Sequence, residues 1–368
     1  MYLERLFLMN YRNISQAELQ FSPKINCLVG DNGMGKTNIL DAIHYLSFCR
    51  SSLSPTDSQT ILHDSGGMML SGTYHSDVNA DSSESFTISS SLRTGGRKQF
   101  KRDGKDYRRF SEHIGLIPLV MISPDDSMLI SGGSEERRKF MDIVISQYDR
   151  NYLEHLINYN KALSQRNALL KCEPEPDSGQ FEIWEMMMAS NASFIYGKRK
   201  EFIDTLIPYF QEMYSEIGNG SEQVGLSYKS NLDDGPLDLQ LADMRAKERI
   251  VGFTLHGIHR DELEMTLGGY PIRREGSQGQ NKSFLTALKL AQYKHLAESC
   301  GRRKPLLLLD DLFDKLDSKR VENILRLVSG DCFGQIFITD VNRSHLDQIL
   351  ELLSSDFRIF TVTGGEVI

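Results

Sequence analysis

Two apolar-rich runs near the start of the chain, LERLFLMNYR and INCLVG, read as strands joined by a turn region, and the second is a short buried run ending in glycine. The period changes at Lys36, where Ile39, Leu40, Ile43 and Leu46 recur on one side of a helix. From Gly66 to Arg109 the texture is β again, with MMLSGTYH, SFTISSSL and RKQFKRDG separated by Ser/Asp/Asn-rich and Gly-Gly turn signals. Helical periodicity holds from about Ser134 to Gly218, interrupted by the loop CEPEPDSGQ before a second run from Phe181 through Met213. The linker NGSEQVG and the turn LDDGP return the chain to mixed structure. From Gln280 a long helix, the apolar strand PLLLLDD, another helix and the strand QIFIT follow. The layout predicts an α/β fold at both ends with an inserted helical lobe. Its expected limits are 1–120 for the N-terminal part with its β-subdomain, 121–245 for the lobe, and 246–368 for the C-terminal part.

Composition narrows the class. The 368 residues are 40% hydrophobic and 25% charged, which excludes wholesale disorder and fibrous repeats. Charges interrupt every apolar run well short of the ~18 residues of a membrane span. Glu4 and Arg5 fall inside what would be the core of a secretory signal, so export is not expected. Cys27, Cys49, Cys172, Cys300 and Cys332 are scattered without CxxC spacing, which argues against a disulfide framework or a zinc site. A cytoplasmic protein is the expectation. The net charge of −8 discourages a polyanionic partner for the chain as a whole. Its distribution is uneven, however. Arg93, Arg97, Lys98, Lys101, Arg102, Lys105, Arg108 and Arg109 face only Asp103 and Asp106 within one segment, where Phe100, Tyr107 and Phe110 are interleaved. Such a cluster is either a solvated hairpin or a DNA contact, with Arg97, Lys98, Lys101 and Arg102 the candidates.

The sharpest chemical signal is Gly30-Asp31-Asn32-Gly33-Met34-Gly35-Lys36-Thr37, which fits GxxxxGK[ST] between a predicted strand and a predicted helix. Glycines let the backbone curl around phosphate oxygens, and the helix N-terminus adds partial positive charge. In this pattern Lys36 pairs with the β- and γ-phosphates and the Thr37 hydroxyl ligates Mg²⁺. The competing reading is a Gly-rich turn with an incidental lysine. A second carboxylate is needed for the metal, and Leu306-Leu307-Leu308-Leu309-Asp310-Asp311 offers two at the end of a buried strand. Asp310 is the natural Mg²⁺ partner and Asp311 the group to polarise water, although an N-cap aspartate after a buried strand would look the same.

About 270 residues separate Thr37 from Asp310, far more than a small GTPase or kinase core uses. Ser277-Gln278-Gly279-Gln280-Asn281-Lys282-Ser283 lies shortly before the last helix-strand unit. Alone it is a weak motif that reads as a polar loop; at this distance from Asp310 it resembles the ABC signature, whose serine reaches a γ-phosphate held by a second subunit.

Taken together, these motifs resemble the RecF family, SMC-like ABC ATPases of bacterial recombinational repair. The resemblance runs through NYRN (Asn10 to Asn13), GDNGMGKTNILDAIHYLS (Gly30 to Ser47), SPDD (Ser123 to Asp126) and RRKFMD (Arg137 to Asp142). It continues in YNKALSQRNALLK (Tyr159 to Lys171), HGIHRDE (His256 to Glu262), SQGQNKS (Ser277 to Ser283) and LLLLDDLFDKLD (Leu306 to Asp317). Two motifs depart from the family pattern. Ile258 and Glu262 replace a proline and the second aspartate of Gly-Pro-His-Arg-Asp-Asp, and Lys315 stands in the D-loop beside Asp314, Leu316 and Asp317.

The resemblance implies an ABC-type, SMC-head-like P-loop ATPase using ATP and Mg²⁺. It implies a head-to-tail homodimer in which Lys36, Thr37 and Asp310 of one subunit face Ser277 of the other. Arg12 and Asn13 match nucleotide-contacting positions of SMC heads. Asp125 or Asp126 occupies the Q-loop region, and Thr339 and Asp340 the place of a switch histidine, with His345 further on. His259 and Arg260 gain a nucleotide or interface role on this ground, against a structural one. It also implies binding of single-stranded, gapped or junction DNA, work with RecO and RecR mediators in recombinase loading, and roles in replication, repair and SOS induction. Turnover is expected to be slow, because Asp311 is one methylene shorter than the usual glutamate, and stimulation by DNA is expected as well. A transporter subunit fits less well, lacking LSGGQ, and the helical insertion is too short for long coiled-coil arms.

Overall fold

A computed structural model describes residues 1–79, 82–174, 176–218, 222–301, 303–312, 318–330, 332–341 and 356–368. The D-loop positions 314–317 and His345 lie outside the described residues. The chain forms two compact units, one of Met1–Asp126, Glu216–Asn219 and Thr286–Ile368, the other of Ser127–Ser215 and Gly220–Leu285.

The first unit holds two sheets. One is antiparallel and is ordered β2 (Ile14–Gln20), β1 (Tyr2–Tyr11), β4 (Gly67–Asn79), β5 (Ser82–Arg93), β6 (Gln99–Arg102), β7 (Lys105–Asp106). The other is ordered β15 (Glu366–Val367), β14 (Phe357–Thr363), β3 (Ile25–Val29), β13 (Ile336–Asp340), β12 (Leu306–Leu309), β8 (Leu119–Ile122), and its strands from β14 to β8 are parallel. Strand β2 falls where the sequence pattern indicates a turn region. Its residues ISQAELQ supply Ile14, Ala17 and Leu19 to the core between exposed polar positions, too few large apolar groups for a clear period-two signal. Every residue of β3 and β12 is buried, as a central parallel strand requires.

Helix α1 (Lys36–Phe48) lays Ile39, Leu40, Ile43 and Leu46, all fully buried, into one core with Leu6, Leu8, Leu70, Ile88, Phe100, Leu308 and Phe337. The two sheets are tied by the buried Gln335 amide. It donates to the Leu3 carbonyl (2.7 Å) and accepts from the Leu3 N–H (2.7 Å), closing β1 against the parallel sheet as a strand would. Helix α9 (Ser318–Val328) buries Val321, Ile324, Leu325 and Val328 in the same unit.

The second unit carries α2 (Met128–Ser131), α3 (Ser134–Tyr148), α4 (Arg150–Leu170), α5 (Ser178–Ile217, whose last two residues fall in the first unit) and α6 (Leu237–Val251). A small sheet, β11 (Tyr270–Pro271), β10 (Glu262–Leu267), β9 (Val224–Lys229), joins them, with α7 (Ile272–Glu275) and the start of α8 (Gln278–Ser299). The unit therefore runs to Leu285 rather than to 245, because β9 and β10 pair along their whole length across the expected boundary. Two fully buried arginines organise it. Arg166 meets Glu185 (3.0 Å), Glu248 (2.6 Å) and Thr254 Oγ1 (2.9 Å). Arg199 meets Asp142 (2.9 Å), Asp261 (2.6 Å) and the Ile258 carbonyl (2.9 Å). Removing one partner of such a pair leaves an uncompensated buried charge and costs about 3–5 kcal/mol. Among the described residues no helix is long and apolar enough to cross a membrane.

Buried His113 donates from Nε2 to the Leu46 carbonyl (2.7 Å) and accepts at Nδ1 from Tyr107 Oη (3.0 Å). Burial pushes its pKa down to about 4. An unfolded histidine takes its proton near pH 6.5, roughly, so between those values the unfolded chain binds the extra proton and stability falls as pH falls. The fully developed loss is roughly 3 kcal/mol. His113→Gln keeps a donor for Leu46 but cannot titrate. Its thermal midpoint should fall less steeply from pH 6.5 to 4 than that of the unmodified protein, as followed by circular dichroism.

Candidate functional site

The carboxyl ends of β3, β12 and β13 open on one side of the parallel sheet, where an open α/β fold places its ligands. From Val29 the chain turns through Gly30–Gly35 into α1. A Cβ at Gly30 would stand 2.1 Å from the Val362 carbonyl oxygen, so the close approach of β14 requires glycine there. Gly35 has φ +114 and sits against the Asn13 amide. The apex is fastened at Met34, whose carbonyl accepts from Gly365 N–H (3.0 Å) and Asn13 Nδ2 (3.3 Å). Asn38 Nδ2 in turn donates to Asn13 Oδ1 (2.7 Å), so Asn13 braces both the loop and the first turn of α1.

Lys36 extends its ammonium back over its own loop, donating to the carbonyls of Gly30 (2.5 Å) and Asp31 (2.9 Å). Burial lowers its pKa, against the attraction of Asp311, Asp310, Asp340 and Asp31. Beside it the Thr37 and Thr339 hydroxyls both donate to Asp310 Oδ1, at 3.0 and 2.8 Å. Thr339 Oγ1 also accepts from the Asp311 N–H (2.9 Å), which holds Asp311 in the left-handed region at φ 48. Burial raises the pKa of Asp310 and the Asp311 charge adds to the rise, with the two hydroxyls opposing. Lys36, Thr37, Asp310, Asp311 and Thr339 line a cleft of about 150 Å³ with Asn32, Gly33, Gly35 and Asn38. Loop N–H groups, one ammonium and two carboxylates at one helix N-terminus suit a polyanion accompanied by a hard cation.

The remaining candidates fall in different places. Arg12 lies at φ 54 with its guanidinium turned to Asp41 (2.9 Å), Ser51 (2.9 Å) and Ser54 (2.8 Å). Asp41 is fully buried on α1 and also accepts from Tyr11 Oη (2.7 Å) and from the Ser52 N–H and hydroxyl (2.7 Å each). Burial pushes its carboxyl up, but the Tyr11, Ser52 and Ser51 hydroxyls and the Arg12 charge outweigh it, and the pKa ends below the ordinary value. Arg12 thus braces the back of α1, while its neighbour Asn13 reaches the loop. Asp126 pairs with Lys289 (3.0 Å) and accepts from the Ser123 N–H (2.8 Å), whereas Asp125 is exposed.

In the second unit, exposed Ser277 caps α8. Its hydroxyl accepts from the Gln280 N–H (3.2 Å), and Gln280 Oε1 accepts from the Ser277 N–H (2.8 Å). His259 and Arg260 are held within the same unit. Tyr159 meets His259 Nδ1 (2.7 Å), and Arg260 donates to the Thr254 carbonyl (3.0 Å). Burial lowers the His259 pKa to about 4, so the ring is neutral near pH 7, as a structural group would be.

The basic segment divides. Lys98 turns inward, donating to the Cys49 carbonyl (2.6 Å), pairing with Asp57 (2.7 Å) and lying over the rings of Phe110 (5.0 Å) and Tyr45 (5.4 Å). Arg97 and Arg102 are exposed, and Lys101 is half-buried. Two contributors carry no place among the candidates read from sequence, Asn38 and Asp41, while Thr339, read there at the place of a switch histidine, contributes through its hydroxyl. Of these, Asp41 had a signal, an acid between Leu40 and Ala42 on the apolar side of the helix.

The family model described as RecF/RecN/SMC N terminal domain matches residues 2–365. A DNA replication and repair protein RecF from Phocaeicola vulgatus is 53% identical over 367 residues, covering 100% of this chain and 98% of that one. One from Porphyromonas gingivalis is 48% identical over 368 residues, covering 100% of both. Among solved structures, that of the recombination mediator protein RecF-ATP in the RecFOR pathway aligns with a TM-score of 0.88 at 30% identity, over 100% of this chain and 97% of that one. An Smc head domain from Pyrococcus furiosus aligns with a TM-score of 0.59 at 17% identity, over 100% and 96%, a likeness of fold.

The inward placement of Lys98 separates it from its neighbour in sequence. Lys98→Ala should lower stability by about 1–3 kcal/mol, through loss of a half-buried ion pair and a cation–π contact. Arg97→Ala should leave stability within about 0.5 kcal/mol. Urea unfolding of the two variants checks both.

Proposed function

The chain belongs to the RecF family of DNA replication and repair proteins, and on that premise we propose that it is an ATP-operated recombination mediator that closes as a homodimer on gapped or junction DNA. The observation that carries this reading is the pair of hydroxyl bonds from Thr37 and Thr339 to Asp310, which gather phosphate loop, strand end and Lys36 around one cleft. Its support from relatives is the solved RecF-ATP structure at 30% identity.

The residues present fit Mg²⁺. Thr37 Oγ1 and Asp310 Oδ1 converge at the cleft, and Asp310 is a buried carboxylate short of positive charge, the condition a hard cation relieves. Mg²⁺ commonly takes one or two protein oxygens and completes its shell from phosphates and water. Bound there, it would neutralise phosphate charge. Lys36 would release the Gly30 and Asp31 carbonyls and turn to the β- and γ-phosphates, and loop N–H groups would hold the remaining oxygens. Asp311, in the cleft and fixed through its own N–H, would position water with a short side chain, giving a slow switch rather than a fast enzyme. Exposed Ser277 at the start of α8 would meet the γ-phosphate of the partner subunit. Exposed Arg97 and Arg102, with Lys101, would contact DNA phosphates; Lys98 serves the fold instead. Work with RecO and RecR, recombinase loading, SOS induction and a cytoplasmic location belong to the same proposal.

Lys36→Arg should weaken ATP binding at least tenfold, since a planar fork cannot replace a compact ammonium in the cradle. Equilibrium titration of a fluorescent ATP analogue reads this, and unchanged affinity in a folded variant rejects the site. Ser277→Arg should keep ATP binding yet abolish the ATP-dependent dimer in sedimentation velocity; a persisting dimer rejects the head-to-tail arrangement. Asp311→Asn should cut phosphate release by about ten- to a hundredfold and prolong the dimer. Undiminished turnover would move the water-positioning role to another carboxylate.

A further inference from the structure

The turn between β14 and β15 reaches the phosphate loop. Thr363 pairs with Glu366, so Gly364 and Gly365 form the tip of a tight hairpin, and both lie in the left-handed region, at φ 59 and 86. A two-residue hairpin turn of this kind requires that conformation at both central positions. Behind the tip, Thr361 and Ile368 exchange a reciprocal pair of main-chain bonds (2.8 and 2.9 Å), and fully buried Val362 anchors the strand in the core. Strand β14 runs parallel to β3, from Phe357 beside Ile25 to Thr361 beside Val29, so the tip arrives where β3 gives way to the loop. A Cβ at Gly365 would stand 2.3 Å from the Asn13 carbonyl oxygen, which leaves no room for a side chain.

The contact made there fixes one peptide. Gly365 N–H and Asn13 Nδ2 both donate to the Met34 carbonyl (3.0 and 3.3 Å). A trans peptide is planar, and its carbonyl and N–H point in opposite directions. With the Met34 carbonyl held toward Asn13 and Gly365, the Gly35 N–H is turned away from them. Gly35 lines the cleft beside Lys36 and Thr37, and its N–H makes no hydrogen bond among the described residues. Gly35 lies at φ 114, and glycine takes either sign of φ about as readily. The freedom that lets the loop curl therefore also lets the peptide between Met34 and Gly35 rotate, and the two bonds at Met34 hold it against that rotation.

We propose that Gly365 and Asn13 are positioning residues for nucleotide binding, which together aim the Gly35 N–H at the β-phosphate. Their role rests on the cleft taking a nucleoside di- or triphosphate. It places part of that affinity outside the loop, in the turn after β1 and the turn after β14. A donor already aimed meets an oxyanion without reorganising, which is where a fixed N–H gains over a mobile one. In the flipped arrangement the Met34 carbonyl would face the phosphate instead, exchanging an attractive dipole for a repulsive one. By linkage, a bound β-phosphate strengthens the Gly365 bond by the same factor that this bond adds to nucleotide affinity.

Two turn variants separate the contact from the hairpin. A side chain at Gly364 meets open space, and asparagine tolerates the left-handed region, so Gly364→Asn keeps the turn and serves as the reference. Gly365→Asn has the same turn chemistry but drives a Cβ against Asn13 and lifts the tip from Met34. In calorimetric titration with Mg·ATP and Mg·ADP, Gly364→Asn should stay within about twofold of the unmodified chain, and Gly365→Asn should lose about tenfold for both nucleotides. Asn13→Ala, which leaves the hairpin intact, should lose about three- to tenfold. In the phosphorus NMR spectrum of bound ADP, the β resonance should move in Gly365→Asn and Asn13→Ala while the α resonance stays, a signature that lowered stability alone does not produce. Hydrogen exchange of the Gly365 amide in the unmodified chain should slow by about tenfold with Mg·ADP. Undiminished affinity in Gly365→Asn and Asn13→Ala, an unmoved β resonance, or a Gly365 amide indifferent to ADP would each overturn the proposal and leave the nucleotide site standing. Absence of nucleotide binding by the unmodified chain would overturn the nucleotide reading and the positioning role with it.

Discussion

The site depends on one carboxylate oxygen. Asp310 Oδ1 accepts from Thr37 at the start of α1 and from Thr339 at the end of β13, so three segments remote in sequence meet on a single acceptor. Asp310 is held there because β12 is a fully buried strand between β8 and β13, and the buried acid needs those hydroxyls once it leaves water. Thr339 then passes the constraint on by accepting the Asp311 N–H, which fixes the second carboxylate at the same mouth. A buried carboxylate met by two hydroxyls, with the Lys36 ammonium in the same cleft, is a poor way to stabilise a fold and would suit the proposed metal and phosphate site.

Those parts of the site that are local in sequence were legible. The spacing of Gly30, Gly35, Lys36 and Thr37 expresses a loop geometry, and the four leucines before Asp310 announce a buried strand with acids at its end. The structure brings these halves together, a relation that the motifs anticipate and the intervening chain does not reveal. What remained hidden depends on burial. Arg12 read as a nucleotide contact and Lys98 as a DNA contact, yet each is directed inward by a partner far along the chain, Asp41 in one case and Asp57 with two aromatic rings in the other. Strand β2 was hidden because ISQAELQ carries weak apolar contrast, and its pairing comes from β1 rather than from its own propensity.

The motifs of the second unit find a different explanation from the phosphate loop. In the SQRN stretch, Arg166 and Asn167 both bind Thr254, and in the HGIHRDE stretch Asp261 takes Arg199 while Glu262 takes Arg137. These are internal ties among helices and the small sheet. Glu262, one of the positions where the sequence departs from the family pattern, uses its extra methylene to reach Arg137 and its own neighbour's N–H at once.

Asp310 and Thr37 together are expected to hold a nucleotide through a cation, and every other role proposed for the cleft follows from that. Calorimetric titration of ATP into the unmodified chain and into Asp310→Asn, each with Mg²⁺ and then with chelator, tests it most directly. The expected result is tight binding to the unmodified chain that weakens when Mg²⁺ is removed, and weak binding to the variant that Mg²⁺ no longer improves. Binding of ATP to Asp310→Asn with undiminished affinity and an unaltered response to Mg²⁺ would contradict it.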